Sequence, residues 1–289
     1  MRVPSDPDNP ASGAGTIEFR EIVFSVPQTP SRKEGAAAFG DADEEARSSE
    51  QRRILDGVSL TVEAGTTVAL LGRSGSGKTT LLRTVNGLVV PTGGSVWVGG
   101  ADVAKADLQA FRRGIGYVIQ ETGLYPHMSI ERNVAMPLEL ASKPPSESRR
   151  RAAELLDMVG LPASQFAGRM PWQLSGGQRQ RAGVARALAT TPGILLLDEP
   201  FGALDPLTRA DMQTLLRDLL GKLRKGSETG TTALIVTHDL QEAVFLAQRV
   251  IFVDGGRVAA DLPSHEVLTS SISIVQEYVR AVQRFQAAG

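Results

Sequence analysis

Apolar and polar positions change rhythm several times along this chain, and each change predicts a different element. Residues 16–26, TIEFREIVFSV, are rich in β-branched and aromatic side chains, the pattern of a strand. Residues 28–53 are small, charged and nearly free of large apolar side chains, so they read as a solvated insertion with room for a short helix at 42–50. Globular patterning resumes at Val58, where VSLTVEAG alternates like a strand and Gly65 supplies a turn. Three short runs then stand out: TVALLG (67–72), GILLLDEP (193–200) and TALIVTHD (232–239). They are apolar on both faces, as expected of parallel strands buried between helix layers. Residues 129–160 and 207–224 carry helical periodicity, the first broken by KPPSES at 143–148, where Ser146 or Ser148 is placed to cap the next helix. In the tail, Val275, Tyr278, Val279, Val282 and Phe285 share one stripe, expected of a packed C-terminal helix rather than a membrane anchor.

Each of the three apolar runs ends in reactive groups. Ligands of open α/β sheets sit beyond the carboxyl ends of strands, so three separate segments point at one site. After the first run comes GRSGSGKTT (72–80), with the spacing Gly72-x4-Gly77-Lys78-Thr79 of a phosphate loop. Gly72, Ser74, Gly75, Gly77, Lys78, Thr79 and Thr80 are its candidate binding residues. Glycines let successive N–H groups curl around phosphate oxygens, Lys78 brings a point charge, and the Thr79 hydroxyl suits Mg²⁺. Asp198 and Glu199 close the second run; the first suits Mg²⁺ through bound water, the second a general base acting on an attacking water. His238 closes the third, within reach of a terminal phosphate and that water. Gln120 ends GIGYVIQ with an amide suited either to ligating Mg²⁺ or to sensing the water. His127 and His265 fall in loops and read as structural. A second glycine-rich stretch, LSGGQ at 174–178, opens a helical run, so Ser175, Gly176, Gly177 and Gln178 form another anion cradle that a single site does not need.

Composition narrows the classes. The 289 residues carry 31 basic and 32 acidic side chains, a net charge of −1 that offers no electrostatic grip on nucleic acid or anionic lipid. Arg179, Arg181 and Arg186 read as a solvated helix face. With no cysteine, thiolate metal sites and cysteine nucleophiles are excluded. The polar, proline-rich start MRVPSDPDNP does not read as a secretory signal, and no run approaches the ~18 apolar residues of a membrane span.

GRSGSGKTT, Gln120, LSGGQ, ILLLDEP, GALDP and VTHD occur in the order of the ATP-binding cassette (ABC) ATPases, which the chain resembles over about residues 16–258. The resemblance implies an α/β fold: a P-loop NTPase core with a mixed, mainly parallel sheet and an antiparallel β segment (about 16–120 and 177–258), an inserted α-helical subdomain (about 121–176) and a helical tail (259–289). It implies ATP and Mg²⁺ as ligands and a head-to-tail homodimer in which Ser175–Gln178 of one copy meet the ATP held by the other. By position it makes Asp198 and Glu199 the acidic pair, Asp205 a contributor at the interface and His238 the switch histidine. Family members often end the first strand in an aromatic that stacks on adenine; that position here is Val26, leaving Phe24 and Phe39 as candidates. GYVIQETGLYPHMSIERNVAMPLEL, PFGALDPLTRADMQ and VTHDLQEAVFLAQRVIFVDGGRV are similar to importer ATPases of the glycine betaine, carnitine and choline (osmoprotectant) group. That implies a cytoplasmic-face, peripheral ATPase docked on a permease through residues 121–137, with Leu124, Tyr125, Pro126 and Met128 as docking residues, a substrate-binding protein as further partner, and no nucleic acid. The tail is shorter than the paired CBS modules frequent in that group. The same engine serving another cargo, a lipid or amino acid, stays open. So does a non-transport cassette acting on DNA or ribosomes, although the long coiled coils and tandem cassettes of those proteins are absent. Glu199 argues against a regulator without turnover.

Overall fold

The computed structural model describes residues 15–27, 51–120, 122–202, 204–225 and 230–287. Among these residues ten strands form two sheets: β1 (Ile17–Pro27), β2 (Gln51–Val62), β3 (Thr67–Leu71), β4 (Gly93–Val98), β5 (Ala101–Asp102), β6 (Ile115–Val118), β7 (Ile194–Asp198), β8 (Thr232–Thr237), β9 (Arg249–Asp254) and β10 (Arg257–Pro263). The smaller sheet, in order β2-β1-β4-β5, is antiparallel. The larger, β10-β9-β3-β8-β7-β6, is parallel except for β10 at its edge. The helices are α1 (Lys78–Val85), α2 (Leu108–Arg113), α3 (Ile130–Leu140), α4 (Pro145–Met158), α5 (Ala163–Phe166), α6 (Gly176–Ala187), α7 (Pro206–Lys225), α8 (Leu240–Leu246) and α9 (Ser273–Ala287).

The unbroken apolar runs of β3, β7 and β8 follow from their position. Alternate residues of each strand point to opposite faces, and both faces are covered. Leu195, Leu197, Ala233 and Ile235 pack with α3, α4, α6 and α7. Ile194, Leu196, Leu234 and Val236 join Val68 and Leu70 against α1 and the smaller sheet. Ala69 and Leu71 pack with α8 and α9. The helices between Gln120 and α6 share the first of these clusters with the sheet, so the apolar core runs without a break across residue 176.

Three boundaries differ from the sequence reading. Residues 51–53, assigned by polarity to the insertion, form the start of β2, paired Pro27↔Gln51 and Val26↔Arg52 with β1. β2 lies at a sheet edge, where a strand end buries nothing and carries no apolar signature. The larger sheet continues past 258, because β10 pairs with β9 as far as Pro263. Helix α4 starts at Pro145 with Pro144 in the capping position, so Ser146 and Ser148 lie inside its first turn. Proline's fixed φ suits that first helical position, which explains why neither serine is needed as a cap. The expected helix at 42–50 and Phe39 lie outside the described residues.

The tail helix packs as its stripe predicts as far as Val282, the Phe285 side chain lying outside the description: Val275 and Val279 are buried, and the Tyr278 ring meets Phe252 edge-on at 5.6 Å. Val275→Ala should therefore lower unfolding stability by about 2 kcal/mol, read by urea denaturation; an unchanged midpoint would mean that α9 is not part of the folded unit.

Candidate functional site

The loop between β3 and α1 wraps around its own lysine. Lys78 is buried, and its ammonium donates to the carbonyls of Gly72 and Arg73, both at 2.8 Å. Burial pulls its pKa below the ordinary lysine value, while the charges of Glu199 and Asp198 act in the opposite direction. Gly77 has φ 100°, and a Cβ there would lie 2.7 Å from the Ile54 carbonyl oxygen, so only glycine brings the loop onto β2. The buried Ser76 hydroxyl has no partner among the described residues. Ser74 and Gly75 form the exposed outer rim, and Thr79 and Thr80 follow in the first turn of α1.

Asp198 ends β7 with no exposed surface. Thr79 donates its hydroxyl to one carboxylate oxygen at 2.7 Å, and Tyr117 (3.2 Å) and Arg83 (3.3 Å) donate to the other. Arg83 also donates to the Tyr117 oxygen at 3.1 Å, closing a network across β6, β7 and α1. One residue on, Glu199 has φ 45°, a left-handed backbone that a non-glycine residue holds at a cost of order 1–3 kcal/mol. Its N–H still donates to Val236 at 3.0 Å, while the twist turns the carboxylate away from the buried one. There it accepts from the Gln120 amide at 3.3 Å and lies 3.5 Å from His238 Nδ1. Gln120, Asp198, Glu199, His238, Lys78 and Thr79 are thus linked through the carboxyl ends of β3, β6, β7 and β8. A hydroxyl, an amide and one carboxylate beside a cationic loop fit a Mg²⁺–polyphosphate pair, since Mg²⁺ is usually held by one or two carboxylates plus phosphates.

LSGGQ forms a different kind of site. Ser175 caps α6: its hydroxyl accepts from the Gln178 N–H at 3.3 Å, and the Gln178 side chain accepts from the Ser175 N–H at 3.0 Å. Gly176 opens the helix, and a Cβ on Gly177 would come 2.2 Å from the Thr208 methyl. Asp205 accepts from the Thr208 N–H at 3.1 Å at the start of α7, and hydrogen bonding from the Thr208 side chain, then its backbone, holds the carboxyl below the usual range. Among the described residues, no hydrogen bond joins the LSGGQ residues to the phosphate loop.

Several site residues carried no sequence signal. The arginines after LSGGQ are no solvated face. Arg179 donates to Leu174 (2.6 Å), Arg181 to Val159 (3.3 Å), and Arg186 to Gly123 (2.6 Å) and Thr122 (2.9 Å). Burial lowers the Arg186 pKa, a sign of a cation enclosed without a facing carboxylate. The buried Asn133 accepts from the Tyr125 N–H at 2.7 Å and donates to the carbonyls of Tyr125, Met128 and Ser129, stapling the loop before α3. Tyr125 and Pro126 are exposed there, whereas Leu124 packs against the core and Met128 is half-buried. Phe24 also packs against the core. Behind Glu199 and His238, a small cleft is lined by Arg209, Thr237 and Glu242. Burial pushes the Glu242 carboxyl up, against hydrogen bonds from Thr237 (2.6 Å) and Gln213 (3.2 Å). These partners come from remote segments, which is why no local motif announced them.

Residues 55–202 match the ABC transporter family, and the chain belongs to it. It is 39% identical over 229 residues to the carnitine transport ATP-binding protein OpuCA of Listeria monocytogenes, covering 79% of this chain and 56% of that protein. It is 45% identical over 216 residues to the methionine import ATP-binding protein MetN of Cereibacter sphaeroides, covering 74% and 59%. The chain thus spans somewhat more than half the length of these relatives. The fold matches the dimeric post-hydrolysis structure of the ATP-binding cassette MJ0796 bound to ADP and Pi, with a TM-score of 0.69 at 32% identity, covering 86% of this chain and 98% of that one. No helix among the described residues is long and apolar enough to cross a membrane.

Two measurements check this geometry. Gly177→Ala should lower the thermal midpoint through the clash with the Thr208 methyl, and Thr208→Ser, which removes that methyl, should recover part of the loss in the double variant. For Glu242, a raised folded-state pKa means that its contribution to stability is present at low pH and lost as pH rises through that value. Glu242→Gln should therefore raise the thermal midpoint at neutral pH, with the gain shrinking as pH falls into the ordinary carboxylate range.

Proposed function

We infer that this chain is the ATP-hydrolysing subunit of an ABC importer, working as a homodimer on the cytoplasmic face of a membrane. One observation carries the reading: Gln120, Glu199 and His238 converge beside Lys78, Thr79 and Asp198, while Ser175–Gln178 stand apart on α6 with their helix N-terminus capped and facing outward. The glycine loop and Lys78 bind the triphosphate. Thr79 and Gln120 would hold Mg²⁺ directly and Asp198 through bound water, and the ion when bound would neutralise charge on the phosphate oxygens. Glu199 accepts the proton of the attacking water, oriented by Gln120, and His238 fixes the carboxylate and the terminal phosphate. Asp198 stays buried in its network and orients Thr79.

The second cradle is explained by a second copy. Backbone N–H groups at the start of α6, with Ser175, meet the terminal phosphate held by the partner. Asp205 lies on the same front, beside Leu207, which is 82% exposed. ATP then favours the closed dimer because it contacts both copies only there, and hydrolysis removes that preference. The segment 121–137, with Tyr125 and Pro126 exposed, docks a permease, and residues 121–176 act as the arm that carries LSGGQ. The cargo we favour is an osmoprotectant quaternary amine delivered by a binding protein; the methionine-importer relative makes an amino acid the second reading.

Glu199→Gln should cut phosphate release by about 10²–10⁴-fold and accumulate an ATP-bound dimer in sedimentation, as expected for loss of a general base. Ser175→Arg should bind ATP and fail to dimerise. Near-normal turnover in the first variant, or an intact ATP-driven dimer in the second, would contradict the assignment.

A further inference from the structure

Trp172 has a role that its own chain does not explain. Its side chain is 72% exposed, although large aromatics generally bury most of their surface. Its exposure is built in. Pro171 and Leu174 are buried on either side, and the Met170 N–H donates to the Gln173 side chain at 2.7 Å. The Gln173 N–H donates to Met170 and the Leu174 N–H to Pro171, closing a tight turn. The turn cannot roll Trp172 inward without expelling Pro171 or Leu174. The indole N–H has no partner among the described residues. The ring stands three residues before Ser175, at most about 10 Å along the chain. That is comparable with the span of an extended nucleoside triphosphate from terminal phosphate to base.

The complementary gap lies at the other end of the nucleotide. Gly77 brings one flank of the phosphate loop against Ile54 and Leu55 of β2. A nucleoside leaving the loop on that flank emerges beside the paired ends of β1 and β2. There Ser25, Val26 and Pro27 face Arg53, Arg52 and Gln51, with no aromatic among them, and Phe24, half-buried, packs against the core. The base therefore has no ring from its own chain to rest on among these residues.

We propose that Trp172 stacks on the base of the ATP held by the partner copy, so that each nucleotide is gripped in trans at both ends, phosphate by Ser175 and base by Trp172. The proposal rests on the trans arrangement inferred above. It makes Trp172 a binding residue that contributes only in the closed dimer.

The full chain carrying Glu199→Gln and Trp97→Phe leaves Trp172 as the single indole. On titration with Mg²⁺ and ATP, Trp172 emission should fall in step with dimer formation measured by sedimentation. Inorganic tripolyphosphate, which has no base, should leave the emission unchanged. Trp172→Ala should raise the ATP concentration needed for dimerisation by about tenfold, the order expected for loss of one stacked base, and Trp172→Phe should recover most of it. A dimer that forms with Trp172 emission unmoved and with Trp172→Ala equal to the parent would overturn the proposal. So would quenching by tripolyphosphate equal to that by ATP, or a defect in Trp172→Ala confined to permease-stimulated turnover. Failure of the parent to dimerise with ATP would overturn the trans arrangement itself, and the proposal with it.

Discussion

A carboxylate with no exposed surface, Asp198, receives hydrogen bonds from Thr79, Tyr117 and Arg83. An unpaired charge in that position would cost several kcal/mol, so the partners are a condition of folding as well as of function. Thr79 belongs to α1, Tyr117 to β6 and Asp198 to β7. Satisfying one buried acid therefore sets the phosphate-loop helix against the two strands whose ends carry Gln120 and Glu199. The remaining geometry follows from that anchoring: Glu199 can take a left-handed backbone only because the strand beneath it is fixed on both faces.

Two kinds of order meet in this chain. The nucleotide side is assembled from strand ends, where a buried parallel sheet leaves little freedom. The LSGGQ side is assembled from helix termini: Ser175 and Gln178 cap α6, Asp205 caps α7, and Gly177 lets the two helices touch. The first arrangement gathers all its groups within one chain. The second presents backbone donors and polar side chains outward, which is the form expected of a surface completed by another molecule.

Much of this was legible in the sequence because it is local. The phosphate loop, the acidic pair, the LSGGQ stretch opening a helix and the buried runs of β3, β7 and β8 are each written within a few consecutive residues. What was not legible depends on distant partners or on edges. Arg186 looked like surface charge because its acceptors are carbonyls of Thr122 and Gly123, and carbonyls have no residue identity to read. Gln51–Arg53 looked like insertion because an edge strand end needs no apolar side chains. Tyr117, Arg83 and Glu242 gained their roles only when separate elements were brought together.

The grip of Arg186 has a mechanical consequence. It sits near the far end of α6 from Ser175, about 16 Å along a helix rising 1.5 Å per residue. Its guanidinium ties that end to the backbone just after Gln120, and Asn133 staples the next stretch to α3. Gly123, Tyr125 and Ser175 are therefore joined through hydrogen-bonded links that run along α6. The exposed loop at Tyr125 and the tip of α6 at Ser175 are thus two ends of one hydrogen-bonded unit, placed like the two ends of a rocker arm.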